Sequence, residues 1–295
     1  MYRSIFRPGL FQGQVAVVTG GGSGIGRCTA HELASLGAAV ALVGRNADKL
    51  AAVRTEIVEA GGTAHAYVCN IRDEAAVQAL VAQIHAEHGR IDALVNNAGG
   101  QFPAPLKDIS AKGWDAVVQT NLTGGFLMAR ECLNQAMQQR GGAIVNIVAD
   151  IWGSMPNMGH SGAARAGMVS LTETAAFEWA QYGVRVNAVA PGYVASSGMD
   201  AYPPWMAETI RSMPRTVPLG RFATEAEVSS AIVYLLSEAA AFITGTTLRV
   251  DGGRPNVRPG TPMPAPHHGA EPFNGFHLAV TPKVLQREEA TDAGA

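Results

Sequence analysis

The chain has 295 residues, and 47% of them are hydrophobic, which supplies enough apolar side chains for a large buried core. With 22 Lys and Arg against 24 Asp and Glu, the net charge is -2, so no basic excess favours a nucleic acid or an anionic membrane as partner. The longest apolar stretches, such as residues 36–43 and 143–149, are shorter than the roughly 20 residues that a membrane-spanning helix needs.

Strand-sized runs of β-branched residues alternate with amphipathic segments of helix length over most of the chain. This alternation predicts an α/β fold, in which a single doubly wound parallel sheet of the Rossmann type carries helices on both faces. The predicted strands cover residues 15–19, 39–43, 63–68, 93–96, 143–148, 184–189 and 247–250. We therefore expect one Rossmann-type domain over residues 1–253.

A glycine-rich turn follows the first predicted strand, where residues 19–26 read TGGGSGIG and open a helical pattern. Glycines let the backbone turn tightly and approach a pyrophosphate, and the positive end of the helix favours its charge. The turn therefore predicts a dinucleotide site whose contacts include Gly20, Ser23, Gly24, Ile25 and Gly26.

The composition changes after residue 253, because prolines break any regular element at Pro255, Pro259, Pro262, Pro264 and Pro266. This predicts an extended or partly disordered tail over residues 254–295. Phe273, Phe276 and Leu278 are apolar enough to dock this tail on the body of the protein or on a neighbouring subunit.

Several further motifs accompany the glycine-rich turn: residues 96–99 (NNAG), Asn121, Pro191 with Gly192, residues 243–245 (ITG) and residues 251–253 (DGG). In this combination the chain resembles the short-chain dehydrogenase/reductase family over roughly residues 10–253. The resemblance implies that Asn97, Ala98 and Gly99 support the sheet beside the adenine ribose. It also implies that the backbone at Pro191, Gly192 and Val194 holds the nicotinamide carboxamide.

The end of the second predicted strand indicates which nicotinamide is bound. An NAD site usually has a carboxylate there, which accepts hydrogen bonds from the ribose and repels a 2′-phosphate. Residues 43–46 read VGRN, so no acid is present and Arg45 can pair with a phosphate. We therefore predict NADP(H) rather than NAD(H). Asn70, with Ile71 beside it, stands where the family commonly has an adenine-contacting Asp, which implies a second cofactor contact.

The catalytic positions depart from the family pattern, which has a Tyr and, one helical turn later, a Lys. Ser161 and Arg165 occupy these two positions here, and Val148 and Ala149 stand where the family usually has Ser. Of the usual four residues, only Asn121 remains. By its position, Arg165 is expected to hold the nicotinamide ribose.

Oxidation of an alcohol or reduction of a carbonyl needs a tuned general acid or base, because the alkoxide is too basic to persist. Arg165 stays protonated and cannot relay a proton. Reduction of an enoyl thioester is less demanding, since hydride delivered to the β-carbon leaves an enolate that hydrogen-bond donors stabilise. Ser161 and nearby donors are expected to form that oxyanion site.

Two branches of the family are similar to this chain. Residues 160–167 (HSGAARAG) resemble the peroxisomal trans-2-enoyl-CoA reductases, whereas residues 149–153 and the tail resemble bacterial proteins assigned to citronellol/citronellal oxidation. The first hypothesis is therefore NADPH-dependent reduction of a 2-enoyl thioester. The alternatives are a dehydrogenase of acyclic terpenoid alcohols or aldehydes, and a cofactor-binding homologue without turnover.

Other candidate residues each have two interpretations. Asp150, just past a strand end, is either a proton donor or substrate contact, or a loop carboxylate that caps a turn. His160 is either a titrating group beside Ser161 or a structural histidine at a helix start. The predicted lid contains apolar and aromatic residues that would suit an acyl or terpenoid substrate chain: Tyr193, Met199, Tyr202, Trp205 and Met206. The alternative is that these side chains only pack within the protein or contact another subunit.

Three cysteines, Cys28, Cys69 and Cys132, occur without any CxxC spacing, so neither a disulfide framework nor a metal site is predicted. We expect small buried hydrophobic side chains in a reducing, cytoplasmic environment. Residues 1–10 lack the apolar run and cleavage site of a secretory signal, which agrees with that location. The family resemblance implies a homo-oligomer, a dimer or tetramer that forms through helices near residues 121–139 and 161–181.

Overall fold

A computed structural model describes residues 1–265 and 271–286 of the chain. Within these residues, seven strands form one parallel sheet in the order β3-β2-β1-β4-β5-β6-β7. The strands are β1 (Val15–Thr19), β2 (Ala39–Gly44), β3 (Thr63–Val68), β4 (Ala93–Asn96), β5 (Gly142–Ile147), β6 (Val184–Pro191) and β7 (Thr247–Val250).

The crossover connections are helical: α1 (Gly24–Ser35), α2 (Ala47–Glu59), α3 (Glu74–His88), α4 (Ala111–Val118), α5 (Gly124–Gln135), α6 (Gly159–Trp179), α7 (Ala207–Ser212) and α8 (Glu225–Leu236). A π-helical turn, Gln119–Thr123, joins α4 to α5. Polar caps start several of these helices. Asn46 accepts a hydrogen bond from the Lys49 N–H, and Thr224 forms a reciprocal capping box with Glu227.

Each face of the sheet has its own core. Val18 and Leu42 pack on the side of α1 and α8, whereas Val17 and Val43 pack on the side of α3 and α5. Successive strand residues point to opposite faces, so both faces of a strand are apolar when helices cover both. The predicted doubly wound α/β fold is therefore confirmed. Cys28, Cys69 and Cys132 are buried and free, as expected.

Three predicted strands differ from the structure at their ends, and the first of them is β2, which continues to Gly44. β5 begins one residue earlier than predicted and ends at Ile147, and β6 continues to Pro191. The extension of β6 has a physical cause, because Ala190 and Pro191 lie in register with Arg249 and Val250 of β7. No helix in the described part of the chain is long and apolar enough to cross a membrane.

The tail returns along the body of the protein. Phe276 is 4% exposed and packs with Tyr2, Cys28 and Ala226, with Phe273 and Leu278 beside this cluster. The Arg3 N–H donates to the Gly275 carbonyl at 2.9 Å. This confirms that the tail docks on the body. Residues 266–270 and 287–295, which belong to the same prediction, lie outside the described residues.

Candidate active site

The order of the strands creates a crevice where β1 lies between β2 and β4, because the chain reverses its direction across the sheet there. Ligands of open α/β sheets bind at the carboxyl ends of such strands. The cleft found at this point is lined by the predicted residues Gly20, Ser23, Arg45, Asn70, Ile71, Ala98 and Gly99. Seven of the residues predicted for the cofactor site therefore lie around one cleft.

The glycine-rich turn is packed too tightly to accept side chains. A Cβ on Gly26 would lie 2.4 Å from the Gly20 carbonyl oxygen and 2.4 Å from Asn97 Nδ2. Asn97 donates from Nδ2 to the Thr19 carbonyl at 3.0 Å, and its N–H donates to Thr19 Oγ1 at 3.0 Å. Asn97 therefore holds the turn in place, in keeping with the supporting role that the resemblance implied.

The charges around the cleft suit a phosphorylated ligand. Lys49 and Arg72 line it together with Arg45, and no carboxylate is among its lining residues. Sequence reasoning missed Lys49 and Arg72. The sequence signal for them was spacing, because Lys49 follows Arg45 by one helical turn and Arg72 follows Asn70 by two residues. Three cations beside a glycine cradle suit the phosphate groups of a nicotinamide dinucleotide.

The predicted nicotinamide end is built from the end of β6. The Gly192 N–H donates to the Val250 carbonyl at 2.9 Å, and a Cβ on Gly192 would lie 2.8 Å from Asp251 Cα. Val194 forms an isolated parallel bridge with Ala223. The backbone from Pro191 to Val194 is therefore fixed at the carboxyl edge of the sheet.

Asn121 and Arg165 form one unit beneath the loop after β4. Asn121, in the π-helical turn, exchanges hydrogen bonds with the backbone of Gly100 at 2.8 and 2.9 Å. Arg165 on α6 donates to the Ile147 carbonyl and, at 3.4 Å, to Asn121 Oδ1. Burial lowers the pKa of Arg165 to about 10, so the guanidinium remains charged at neutral pH. It supplies fixed positive charge rather than a mobile proton.

Ser161 is buried, and its hydroxyl donates to Gln101 Oε1 at 2.7 Å. Gln101 in turn donates from Nε2 to the hydroxyl oxygen of Tyr202 at 2.6 Å. Sequence reasoning did not identify Gln101 as a site residue. In this arrangement the proton of Ser161 is donated to Gln101, whereas the sequence had predicted donation to a substrate oxygen, and the Gln101 amide joins Ser161 to Tyr202 of the lid.

Asp150 and His160 are held by neighbours. Asp150 Oδ2 accepts from Arg254 at 2.7 Å, which favours the interpretation of Asp150 as a loop carboxylate over that of a proton donor. His160 is buried at the start of α6, where its Nδ1 accepts from the Ser161 N–H at 2.8 Å. The Phe102 ring packs edge-on against it with centroids 4.5 Å apart. These contacts favour a structural role for His160.

Some of the lid residues between β6 and α8 are packed in the protein, and others are exposed to solvent. Met199, Met206 and Ile210 form a small apolar cluster to which Tyr202 adds, whereas Trp205 is 69% exposed. Within residues 1–265 and 271–286, no group of three or more His, Cys, Asp and Glu side chains is placed to hold a metal ion.

Known proteins share this architecture along nearly the whole chain. The sequence profile of a family described as Enoyl-(Acyl carrier protein) reductase matches residues 20–254. A probable 2,4-dienoyl-CoA reductase [(2E)-enoyl-CoA-producing] of Bacillus subtilis (strain 168) is 36% identical over 250 residues, which make up 82% of this chain and 96% of the relative.

Two solved structures are also similar. The citronellol catabolism dehydrogenase (AtuB) of Pseudomonas aeruginosa PAO1 is 57% identical with a TM-score of 0.78, and the match covers 86% of this chain and 100% of the other. A structure from Beutenbergia cavernae that holds NADP at low occupancy is 35% identical with a TM-score of 0.79, over 85% of this chain and 100% of the other.

Proposed function

The chain belongs to the short-chain dehydrogenase/reductase family, and we propose that it uses NADPH to reduce the carbon–carbon double bond of a 2-enoyl thioester. One observation carries the proposal. Ser161 and Arg165 stand where alcohol-forming members of the family have Tyr and Lys, and Arg165 is fixed against Ile147 and Asn121. The proposed catalytic residues are therefore Asn121 and Arg165, and Ser161 acts as a positioning residue because its proton is donated to Gln101.

These residues suit an enolate better than an alkoxide. When hydride adds to the β-carbon of an unsaturated thioester, negative charge develops on the carbonyl oxygen, and fixed donors stabilise it. The Arg165 guanidinium provides positive charge, and the hydrogen-bond chain of Ser161, Gln101 and Tyr202 provides polar groups beneath the lid. An alkoxide is more basic than an enolate, so it depends more strongly on a proton donor placed directly at the Ser161 position.

The function is tested by following NADPH oxidation with 2-enoyl-CoA thioesters of several chain lengths, with citronellal, and without substrate. We expect steady turnover with an enoyl thioester and formation of the saturated product. Oxidation of citronellol with NADP⁺ in the absence of any enoyl turnover would instead support the second candidate. Binding of NADPH without turnover of any substrate would support a cofactor-binding homologue.

The second candidate is dehydrogenation of an acyclic terpenoid alcohol or aldehyde. The observation that favours it is the 57% identity to a citronellol catabolism dehydrogenase. Both candidates fit an apolar substrate chain beneath the lid, since Met199 and Met206 are buried there. The assay above separates them by the bond that is reduced.

We propose NADP(H) as the cofactor, and Arg45 as the residue that selects it. Replacement of Arg45 by Ala should weaken NADPH binding by about 1.5 to 3 kcal/mol, roughly ten- to hundredfold, because a charge-assisted contact to the 2′-phosphate is lost. NADH binding should change little. Titration of both cofactors into the protein, followed by fluorescence, measures this.

The matched control is Arg54→Ala, which removes an exposed arginine of α2 outside the cleft lining. It should leave both affinities unchanged. Equal losses of NADPH and NADH affinity in Arg45→Ala would contradict a contact with the 2′-phosphate. A residual preference for NADPH in that variant would be attributed to Lys49 and Arg72.

We propose that the protein is a dimer or tetramer that assembles through α5 and α6. Phe126 on α5 is 36% exposed and Phe177 on α6 is 87% exposed, so each helix presents an aromatic side chain that a second copy would bury. Light scattering on the purified protein measures the mass, and a monomer at micromolar concentration would contradict the proposal. The cytoplasmic location stays a prediction.

A further inference from the structure

A hydrogen-bond chain joins a phenol group of the lid to Ser161 on α6. Gln101 donates to the hydroxyl oxygen of Tyr202 at 2.6 Å, and Ser161 donates to Gln101 at 2.7 Å. The phenol is therefore connected, through one amide, to the position at which the family usually has its tyrosine. We propose that Tyr202 donates the proton to the carbonyl oxygen of the substrate, in place of the tyrosine that α6 lacks.

The direction of the hydrogen bonds supports this role. Because Ser161 donates to Gln101 Oε1, the carboxamide is oriented with its Nε2 toward Tyr202. The phenol oxygen then accepts a hydrogen bond, which leaves its own proton available to another acceptor. The same accepted bond stabilises the phenolate that remains when the proton departs.

Packing holds Tyr202 in this place. Its ring belongs to the apolar cluster of Met199, Met206 and Ile210, to which Val284 and Leu285 of the tail also add. The tail is fixed to the lid by polar contacts as well. The Val284 N–H donates to Asp200 at 3.2 Å, and Arg211 donates to the Val284 carbonyl at 2.8 Å. The tail therefore restrains the segment that carries the phenol.

The other titratable groups near this hydrogen-bond chain are either ion-paired or buried. Asp150 is ion-paired with Arg254 at 2.7 Å, and the same guanidinium lies over the Tyr193 ring, 4.9 Å from its centroid. His160 is buried, with the Phe102 ring against it. Gln101, in contrast, is exposed and Tyr202 is only partly buried, so a substrate oxygen can reach the phenol.

The chemistry rests on the proposed function and balances as follows. Hydride from NADPH forms a bond to the β-carbon, the electron pair of the double bond moves to the carbonyl oxygen, and NADPH becomes NADP⁺. The phenol O–H bond of Tyr202 breaks as its proton binds that oxygen, which gives an enol. The enol then takes a proton from water at the α-carbon and returns its oxygen-bound proton to the phenolate. One proton is consumed from solvent.

The first test compares Tyr202→Phe with Tyr182→Phe, which changes a tyrosine of the turn before β6, at the opposite edge of the sheet. On the substrate that the wild type reduces, Tyr202→Phe should lower kcat by roughly 10²-fold or more, the scale of losing a general acid, with little change in KM. Tyr182→Phe should behave as the wild type. A kcat unchanged by Tyr202→Phe would overturn the proposal.

The second test does not depend on turnover. Acetoacetyl-CoA, bound in the presence of NADP⁺, cannot be reduced, and its enolate has a near-ultraviolet absorption band. A donor at the carbonyl oxygen should strengthen that band in the wild type and in Tyr182→Phe, and Tyr202→Phe should lose it. If the wild type gives neither turnover nor a band, or if the band persists without the phenol, Tyr202 is not the donor.

Gln101→Leu separates proton donation from packing. It removes the hydrogen bond to Tyr202 but leaves the phenol, so kcat should fall only about tenfold. The double variant with Tyr202→Phe should be no slower than Tyr202→Phe alone, because both changes act on one group. Independent, additive losses would contradict the coupling. If the protein reduces only a terpenoid carbonyl, the proposed reduction of a 2-enoyl thioester is contradicted. The same variants, assayed on that carbonyl, still test whether Tyr202 donates the proton.

Discussion

Replacement of Gly26 by Ala is expected to weaken binding of the nicotinamide cofactor severely. The new methyl group would lie 2.4 Å from both the Gly20 carbonyl oxygen and Asn97 Nδ2. The Gly20 oxygen belongs to the backbone, and the Asn97 side chain is fixed by its hydrogen bond to the Thr19 carbonyl. Moving either neighbour therefore costs free energy. The turn must open, and overpacking of this kind costs about 1 to 3 kcal/mol of stability.

The affinity for the cofactor should fall by roughly a hundredfold or more, because several backbone N–H groups of the turn lose their alignment together. Calorimetric titration with NADPH measures the loss. Gly153→Ala is the control, since a Cβ there would meet no atom within 4 Å. Near-normal NADPH affinity in Gly26→Ala would mean that the phosphates are not held by this turn.

The dinucleotide half of the site was predictable because its determinants are local. A strand, a glycine-rich turn and a helix are consecutive in sequence, so residues 19–26 specify both the fold of the turn and its ligand. The absence of an acid after β2 was equally visible. Lys49 and Arg72 were missed because their spacing from Arg45 and Asn70 becomes informative only when α2 and the loop after β3 are known to pack beside the same cleft.

The catalytic half was less predictable because it depends on contacts between distant segments. Tyr202 lies in an irregular part of the chain without periodicity, and its link to Ser161 passes through Gln101 in a different loop. Asp150 meets Arg254, which belongs to the proline-rich tail. No local pattern reports such pairs, whereas the loss of Tyr and Lys from α6 could be seen directly in the sequence.

Glu225→Gln is expected to make the protein more stable at pH 8, in contrast to most substitutions of buried residues. Glu225 is the first residue of α8, is 7% exposed, and lies beside the turn near Gly24 and Ser196. Burial raises the pKa of Glu225 to about 7, although Arg27 opposes the shift. The folded protein therefore retains this proton at pH values where the unfolded chain has released it.

The sign of the pH dependence follows from this raised pKa. Below the ordinary pKa of 4.5 both states carry the proton, and Glu225 adds no pH-dependent difference. As the pH rises from there to about 7, only the unfolded chain is ionised, so stability falls. Above that range Glu225 is ionised in both states, and its buried charge lowers the free energy of unfolding by about 3 kcal/mol. Glutamine has nearly the same shape and cannot ionise, so it removes this cost.

Thermal unfolding of both proteins between pH 5 and pH 8 measures the effect, and the gain in Tm at pH 8 should be roughly 5 °C. Glu227→Gln, two residues along α8, is a control of opposite sign. Burial opposes ionisation there, but hydrogen bonds from Arg221 and from the Thr224 and Phe273 N–H groups hold the pKa of Glu227 below its usual value. That variant should lose stability at neutral pH and approach the wild type in acid. If Glu225→Gln shifts Tm equally at pH 5 and pH 8, the carboxyl is not protonated in the folded protein at neutral pH, and the effect must come from packing at the start of α8.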